Sequence, residues 1–111
     1  MVVIVVHDDS DFKLKLENAG INLVVVEFTG AWCNPCLKMS PVFKQLSNKY
    51  TRAVFLKVNV DQCQETAINQ DIVVLPAFGF YRDETRLTLF TGANAEALEA
   101  KIKELIGDDA V

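Results

Sequence analysis

The chain opens on Val2-Val3-Ile4-Val5-Val6, an unbroken run of β-branched residues that predicts a strand. The period then changes. Asp9 or Ser10 is placed to cap a helix carrying Phe12, Leu16 and Ala19 on one face, with Gly20 at its C-terminal end. Leu23-Val24-Val25-Val26-Glu27-Phe28 is apolar at nearly every position, the pattern of a strand covered on both faces. Met39, Val42, Phe43, Leu46 and Tyr50 recur at helical spacing, and Pro41 inside that stretch predicts a kink. A second buried strand over 53–60 follows, then a short helical or irregular stretch over 63–69. Residues 77–81 and 86–91 read as a hairpin joined by Arg82-Asp83-Glu84-Thr85. A last helix starts near Asn94, carries Leu98, Ile102, Leu105 and Ile106 on one face, and ends at Gly107.

The order is β-α-β-α-β-α-β-β-α. Helical crossovers make the first three strands parallel, while the closing hairpin must be antiparallel. The expected class is α/β, a central mixed sheet flanked by helices on both faces. No repeat, linker or low-complexity segment divides the chain, so residues 1–111 are expected to form one domain.

Composition narrows the function more than the fold. Of 111 residues, 50% are hydrophobic and 23% charged, the proportions of a globular chain with a real core. The net charge of −4 is spread over intermixed signs. No Lys/Arg cluster argues for nucleic acid, and no basic amphipathic face argues for a membrane. The opening apolar run is too short for a signal or a span and lacks a basic flank and a cleavage site. A cytoplasmic protein is expected, in a compartment that keeps thiols reduced.

Three cysteines are an odd number, which argues against a purely structural disulfide framework. Two of them, Cys33 and Cys36, are separated only by Asn34 and Pro35 at the junction between the second strand and the second helix. Zinc is disfavoured, because only Cys63 and His7 remain to complete four ligands and neither belongs to a second pair; His7 reads as a solvated loop residue. A Cys/His hydrolase lacks a third residue to orient the lone histidine. A structural disulfide here would close too small a loop to stabilise much. Reactivity explains the spacing better. A thiol at a helix N-terminus meets unpaired N–H groups and the positive end of the helix dipole, which favour the thiolate. Pro35 suits a first helical turn, and that turn holds Cys36 within reach of Cys33. The alternative is that both are inert core residues.

Several stretches together carry a resemblance. Val24-Val25-Val26-Glu27-Phe28 leads into Trp32-Cys33-Asn34-Pro35-Cys36, with Pro41 beyond it. Asn59-Val60-Asp61, Leu75-Pro76-Ala77-Phe78 and Phe90-Thr91-Gly92-Ala93-Asn94 follow. In this the chain resembles the thioredoxin family over essentially its whole length, as the animal cytosolic type with a variant WCNPC motif. The resemblance implies a thioredoxin fold with Cys33 as attacking thiol and Cys36 as buried resolving thiol. It implies a cis bond before Pro76, facing the dithiol, and a substrate strand pairing with the backbone at Leu75. Trp32, Leu75, Pro76, Gly92 and Ala93 would frame a shallow apolar groove, with Asn34 and Pro35 also meeting partners; for Trp32 the alternative is core packing. Asp61 either accepts the indole N–H or is a solvated strand-end charge.

Glu27 interrupts an apolar strand, where a carboxylate is costly unless paired or protonated. The family usually has Asp here, acting through water as proton donor and acceptor for the resolving cysteine. Glu27 is expected to keep that role with a shifted carboxyl, or else to snorkel to solvent. Lys57 on the neighbouring strand matches a position where bacterial members carry Lys and is a candidate partner. Asn34 stands where Gly is usual, and either donates to the Cys33 thiolate or alters the contact surface. Cys63 matches an extra cysteine of animal members and is either a modifiable, regulatory thiol or a half-buried small residue. Thr29, Ala77 and Glu84 also depart from the usual pattern, the last where a turn glycine is common.

The resemblance implies a protein-disulfide reductase with no bound cofactor and no metal. Its electrons would come from NADPH through a separate thioredoxin reductase, and its targets would be disulfide proteins such as peroxiredoxins. A monomer binding neither nucleic acid nor membrane is expected. The rivals are a non-catalytic thioredoxin-fold clamp, disfavoured by two intact thiols, and a protein-disulfide oxidase.

Overall fold

In the computed structural model, which describes residues 2–107, nine elements appear in the expected order. They are β1 (Val3–Val5), α1 (Asp9–Ala19), β2 (Val24–Thr29), α2 (Asn34–Lys49), β3 (Val54–Asn59), α3 (Gln64–Asn69), β4 (Ala77–Arg82), β5 (Thr85–Thr91) and α4 (Ala95–Ile106). The sheet runs β1-β3-β2-β4-β5, with β1, β3 and β2 parallel and β4 and β5 antiparallel to their neighbours. The mixed sheet is therefore as expected. β1 is shorter than the 2–6 run because it lies at an edge and pairs with β3 through three residues only. Ile4 and Val5 remain exposed there, so an apolar run marks the strand without marking it as central.

Side chains alternate across β2, and this divides the core. Val24, Val26 and Phe28 join Phe12, Leu16 and Tyr81 beneath α1 and α3. Leu23 and Val25 join Met39, Phe43, Leu46, Phe78, Leu98 and Ile102 beneath α2 and α4. By the same alternation Glu27 faces the α2 side, and Lys57, its register partner on β3, faces that side with it. Phe43 anchors this layer, its ring 5.2 Å from Phe55 and 5.8 Å from Phe78. Burying one such phenyl contributes about 1.5–3 kcal/mol.

Two boundaries differ from expectation. The cap of α1 is Asp8, whose carboxylate accepts the Asp11 N–H at 2.8 Å. Asp9 turns away and accepts from the Thr66 N–H and hydroxyl at 2.8 and 2.6 Å, tying α1 to α3. The hairpin turn is two residues, Asp83 and Glu84, both at positive φ (54 and 65), so Arg82 and Thr85 belong to the strands. Positive φ at both central positions suits the right-handed twist of the flanking strands. α2 continues through Pro41, which lacks the N–H its position would direct at Leu37.

Candidate active site

β2 ends at Thr29 and α2 begins at Asn34, leaving residues 30–33 as the junction. Cys33 caps α2 from an extended backbone, and its Sγ accepts the Cys36 N–H at 3.1 Å. Pro35 lies in the first turn, where no intrahelical donor is lost. Cys33 and Cys36 form a disulfide with their Cα atoms 5.2 Å apart. The two sulfurs are not equivalent: Cys33 is half-buried, while Cys36 is only 2% exposed. The Asn34 side chain is exposed and makes no bond to Cys33 in this form; the Cys36 backbone supplies that donor instead.

Trp32 is 98% exposed, which excludes the core-packing alternative. It borders a groove of about 580 Å³ together with Cys33, Asn34, Pro35, Val60, Asp61 and Leu75. Asp61 shares the groove but accepts no bond from the indole; its own N–H donates to Asn59 Oδ1 at 2.8 Å. Gly30 permits this closeness, since a Cβ there would stand 3.1 Å from Leu75 Cδ1. The Leu75-Pro76 bond is cis. Pro76 is itself buried, and its carbonyl accepts the Gly92 N–H at 3.2 Å, with Gly92 at φ +109, a conformation glycine adopts without strain. Ala93, the next residue, lines a hollow with Lys38, Met39 and Val42.

On the α2 side of the sheet, Glu27 is 1% exposed, so it does not snorkel. Burial pushes its carboxyl above the usual range, opposed by the charge of Lys57 and by a hydrogen bond from Ser40. Lys57 stands in register with Glu27 yet makes no ion pair with it. Its charge acts on Glu27 through space. The contact Glu27 does make is to Ser40, whose hydroxyl donates to Oε2 at 3.3 Å. The sequence reading passed over Ser40, although its position one turn beyond Cys36 was the available signal.

Cys63 is fully buried, and burial together with Asp9, Asp8 and Asp11 pushes its thiol up. That is the opposite of thiolate activation, and it favours the core reading over the regulatory one. Among the described residues no group of three or more His, Cys, Asp or Glu is placed to hold a metal ion, and no helix is long and apolar enough to cross a membrane.

A helix-capping disulfide with one sulfur open to a groove, and a buried carboxyl on the strand that leads into that helix, defines a protein of thiol–disulfide exchange. The family model for Thioredoxin matches residues 3–104. Thioredoxin of Equus caballus is 44% identical over 101 residues, 91% of this chain and 96% of its own. Among solved structures, reduced thioredoxin pre-protein of Schistosoma mansoni is similar with a TM-score of 0.91 at 37% identity, covering 96% of this chain and 100% of that one. A chain from the complex of ferredoxin:thioredoxin reductase with thioredoxin f2 gives a TM-score of 0.86 at 34% identity, covering 90% and 91%. The chain belongs to the thioredoxin family and has its fold. It is a thiol–disulfide oxidoreductase that reduces protein disulfides through the Cys33/Cys36 pair.

Proposed function

We propose that Cys33 attacks, Cys36 resolves and Glu27 carries the proton. The observation that supports this order is the asymmetry of the pair, one sulfur reachable and the other enclosed. The Cys33 thiolate attacks one sulfur of the target disulfide, and the other target sulfur leaves as a thiolate that takes up a proton. Cys36 gives its proton to Glu27, and its sulfur then attacks Cys33. The bond between Cys33 and the target breaks, and the second target sulfur leaves as a thiolate that takes up the proton now held by Glu27, through water. Two electrons have passed to the target, one proton has come from Cys36 and one from solvent, and the Cys33–Cys36 disulfide remains. Leu75 offers its backbone to an extended target segment as an added strand, while Trp32, Asn34 and Pro35 meet the target's side chains. Pro76 and Gly92 set the rim.

The recharging partner in this reading is an NADPH-dependent thioredoxin reductase, which carries the nicotinamide and flavin. Disulfide proteins of the peroxiredoxin type are the targets, the compartment is the cytoplasm, and the chain works as a one-domain monomer. Reduction of insulin disulfides, with electrons supplied either by NADPH and thioredoxin reductase or by reduced ferredoxin and its reductase, tests this. Turnover with NADPH is expected. Turnover only with ferredoxin would replace the reductase. None with either, though dithiothreitol reduces the pair, would leave a non-catalytic clamp.

A further inference from the structure

We propose that Ser40 is a positioning residue for disulfide exchange, its hydroxyl holding the Glu27 carboxyl against the helix that carries Cys36. The inference rests on the proton-carrying role of Glu27 proposed above and adds the group that orients it. Ser40 follows Cys36 by four residues on α2, so both lie on the same side of one helix. Its hydroxyl donates to Glu27 Oε2 at 3.3 Å across thirteen residues of sequence. Glu is one methylene longer than Asp and has one more torsion to restrain; a donor on the helix restrains it.

The surroundings leave Ser40 little competition for that role. Of the groups facing Glu27, β3 contributes Lys57 in register and β4 contributes Phe78, which is apolar. The other residues around the carboxyl line a groove of about 640 Å³: Val2 and Val3 beside β1, and Leu37, Pro41 and Lys44 on α2. The two lysines are therefore the charged groups around the carboxyl, and Ser40 is the side chain that bonds it. The groove is wide enough for water, which can carry the proton between Glu27 and bulk solvent. Because the hydroxyl donates to the carboxylate, it favours the charged form against burial, consistent with the downward pull it exerts on the Glu27 carboxyl.

When Cys36 attacks, its sulfur pair forms the Cys33–Cys36 bond and its proton passes to Glu27. The Cys33–target bond breaks, its electron pair leaving on the target sulfur. The target is reduced and the dithiol oxidised, with no further reactant. Ser40 changes the proton affinity and direction of the acceptor and does not touch the reacting sulfurs.

The test compares wild type, Ser40→Ala, Ser40→Thr, Glu27→Gln and the double variant Glu27→Gln/Ser40→Ala. Rates of insulin-disulfide reduction are measured across pH, and the Glu27 carboxyl is titrated by carbon NMR. Ser40→Ala is expected to move the carboxyl titration and the pH–rate profile upward by about half a pH unit, the scale of one weak hydrogen bond. Ser40→Thr should restore both, and Ser40→Ala should have no effect in the Glu27→Gln background. A Ser40→Ala profile and titration superimposable on wild type, while Glu27→Gln alters the profile, would overturn the role of Ser40 alone. An unaltered profile in Glu27→Gln would overturn the proton-carrying role of Glu27, and the inference with it. Ala favours helix at position 40, and the NMR spectra report directly whether each variant is folded.

Discussion

Replacing Glu27 with Gln isolates what burial of this carboxyl does to the fold. The group is 1% exposed, and burial raises its pKa above an ordinary 4.5, with Lys57 and Ser40 only partly offsetting the rise. The sign follows from proton binding. A carboxyl with a raised folded pKa holds its proton more tightly in the folded than in the unfolded chain. Its contribution to stability is fully present below the unfolded value and is lost as pH rises through the folded value. Between those two values, one proton per molecule limits the slope to about 1.4 kcal/mol per pH unit. Gln carries no such slope. Its oxygen can still accept from Ser40, and its amide opens toward a groove that admits water, so the substitution adds only a pH-independent offset of about 1 kcal/mol or less. Asp9, Asp11 and Glu99, whose pKa values are lowered by their own hydrogen bonds, contribute oppositely, but they contribute alike to both proteins and cancel in the difference. Urea unfolding followed by far-UV circular dichroism, from about pH 4 to about pH 9, measures this difference. The variant should gain on wild type as pH rises from 4.5 and then reach a plateau. A difference that stays flat over that range, or moves against the variant, would refute the burial argument.

Three further outcomes follow from the same geometry. Cys36→Ser should trap a mixed disulfide between Cys33 and a target protein, visible on a non-reducing gel and absent in Cys33→Ser. Glu84→Gly should stabilise the chain by about 0.5 kcal/mol, or a midpoint rise of about 2–4 °C, because a glycine relieves the left-handed conformation at φ 65; a lower melting temperature would contradict the turn assignment. In the reduced protein, Cys63 should resist alkylation until the chain is unfolded, whereas Cys33 reacts at once; mass spectrometry of labelled peptides reads both.

The kinds of element were legible because short unbroken apolar runs give way cleanly to apolar residues at helical spacing. What escaped the sequence were choices between equivalent residues. Asp8, Asp9 and Ser10 can each cap a helix, and only the packing of α3 beside α1 decides that Asp9 is drawn to Thr66 while Asp8 caps. Composition also cannot tell an apolar side chain kept for the core from one kept for a partner: Trp32 and Phe43 are both large and apolar, yet one is 98% exposed and the other fully buried. Gly92 and Ala93 are adjacent in sequence, yet the backbone at Gly92 meets Pro76 while Ala93 opens onto another hollow. Ser40 is an unremarkable helix residue until the register of β2 points Glu27 toward it.

Two grooves beside α2 give the site its division of labour. The groove with Trp32 and Leu75 lies at the β2–α2 junction and presents the Cys33 sulfur, whereas Glu27 opens to a different groove, between α2 and the β1–β3 edge. In the mechanism proposed above, a target protein covering the first groove leaves the second outside that contact, so Glu27 keeps its own route to water while the mixed disulfide is enclosed. α2 connects the two, with Cys33 at its cap, Cys36 in its first turn and Ser40 one turn further. Enclosure matters because a buried mixed disulfide excludes competing thiols, but the proton released by Cys36 must still find an acceptor there. In the proposed mechanism, separate grooves on one helix meet both demands together, and a buried carboxyl that the fold would be more stable without is retained where it meets the second.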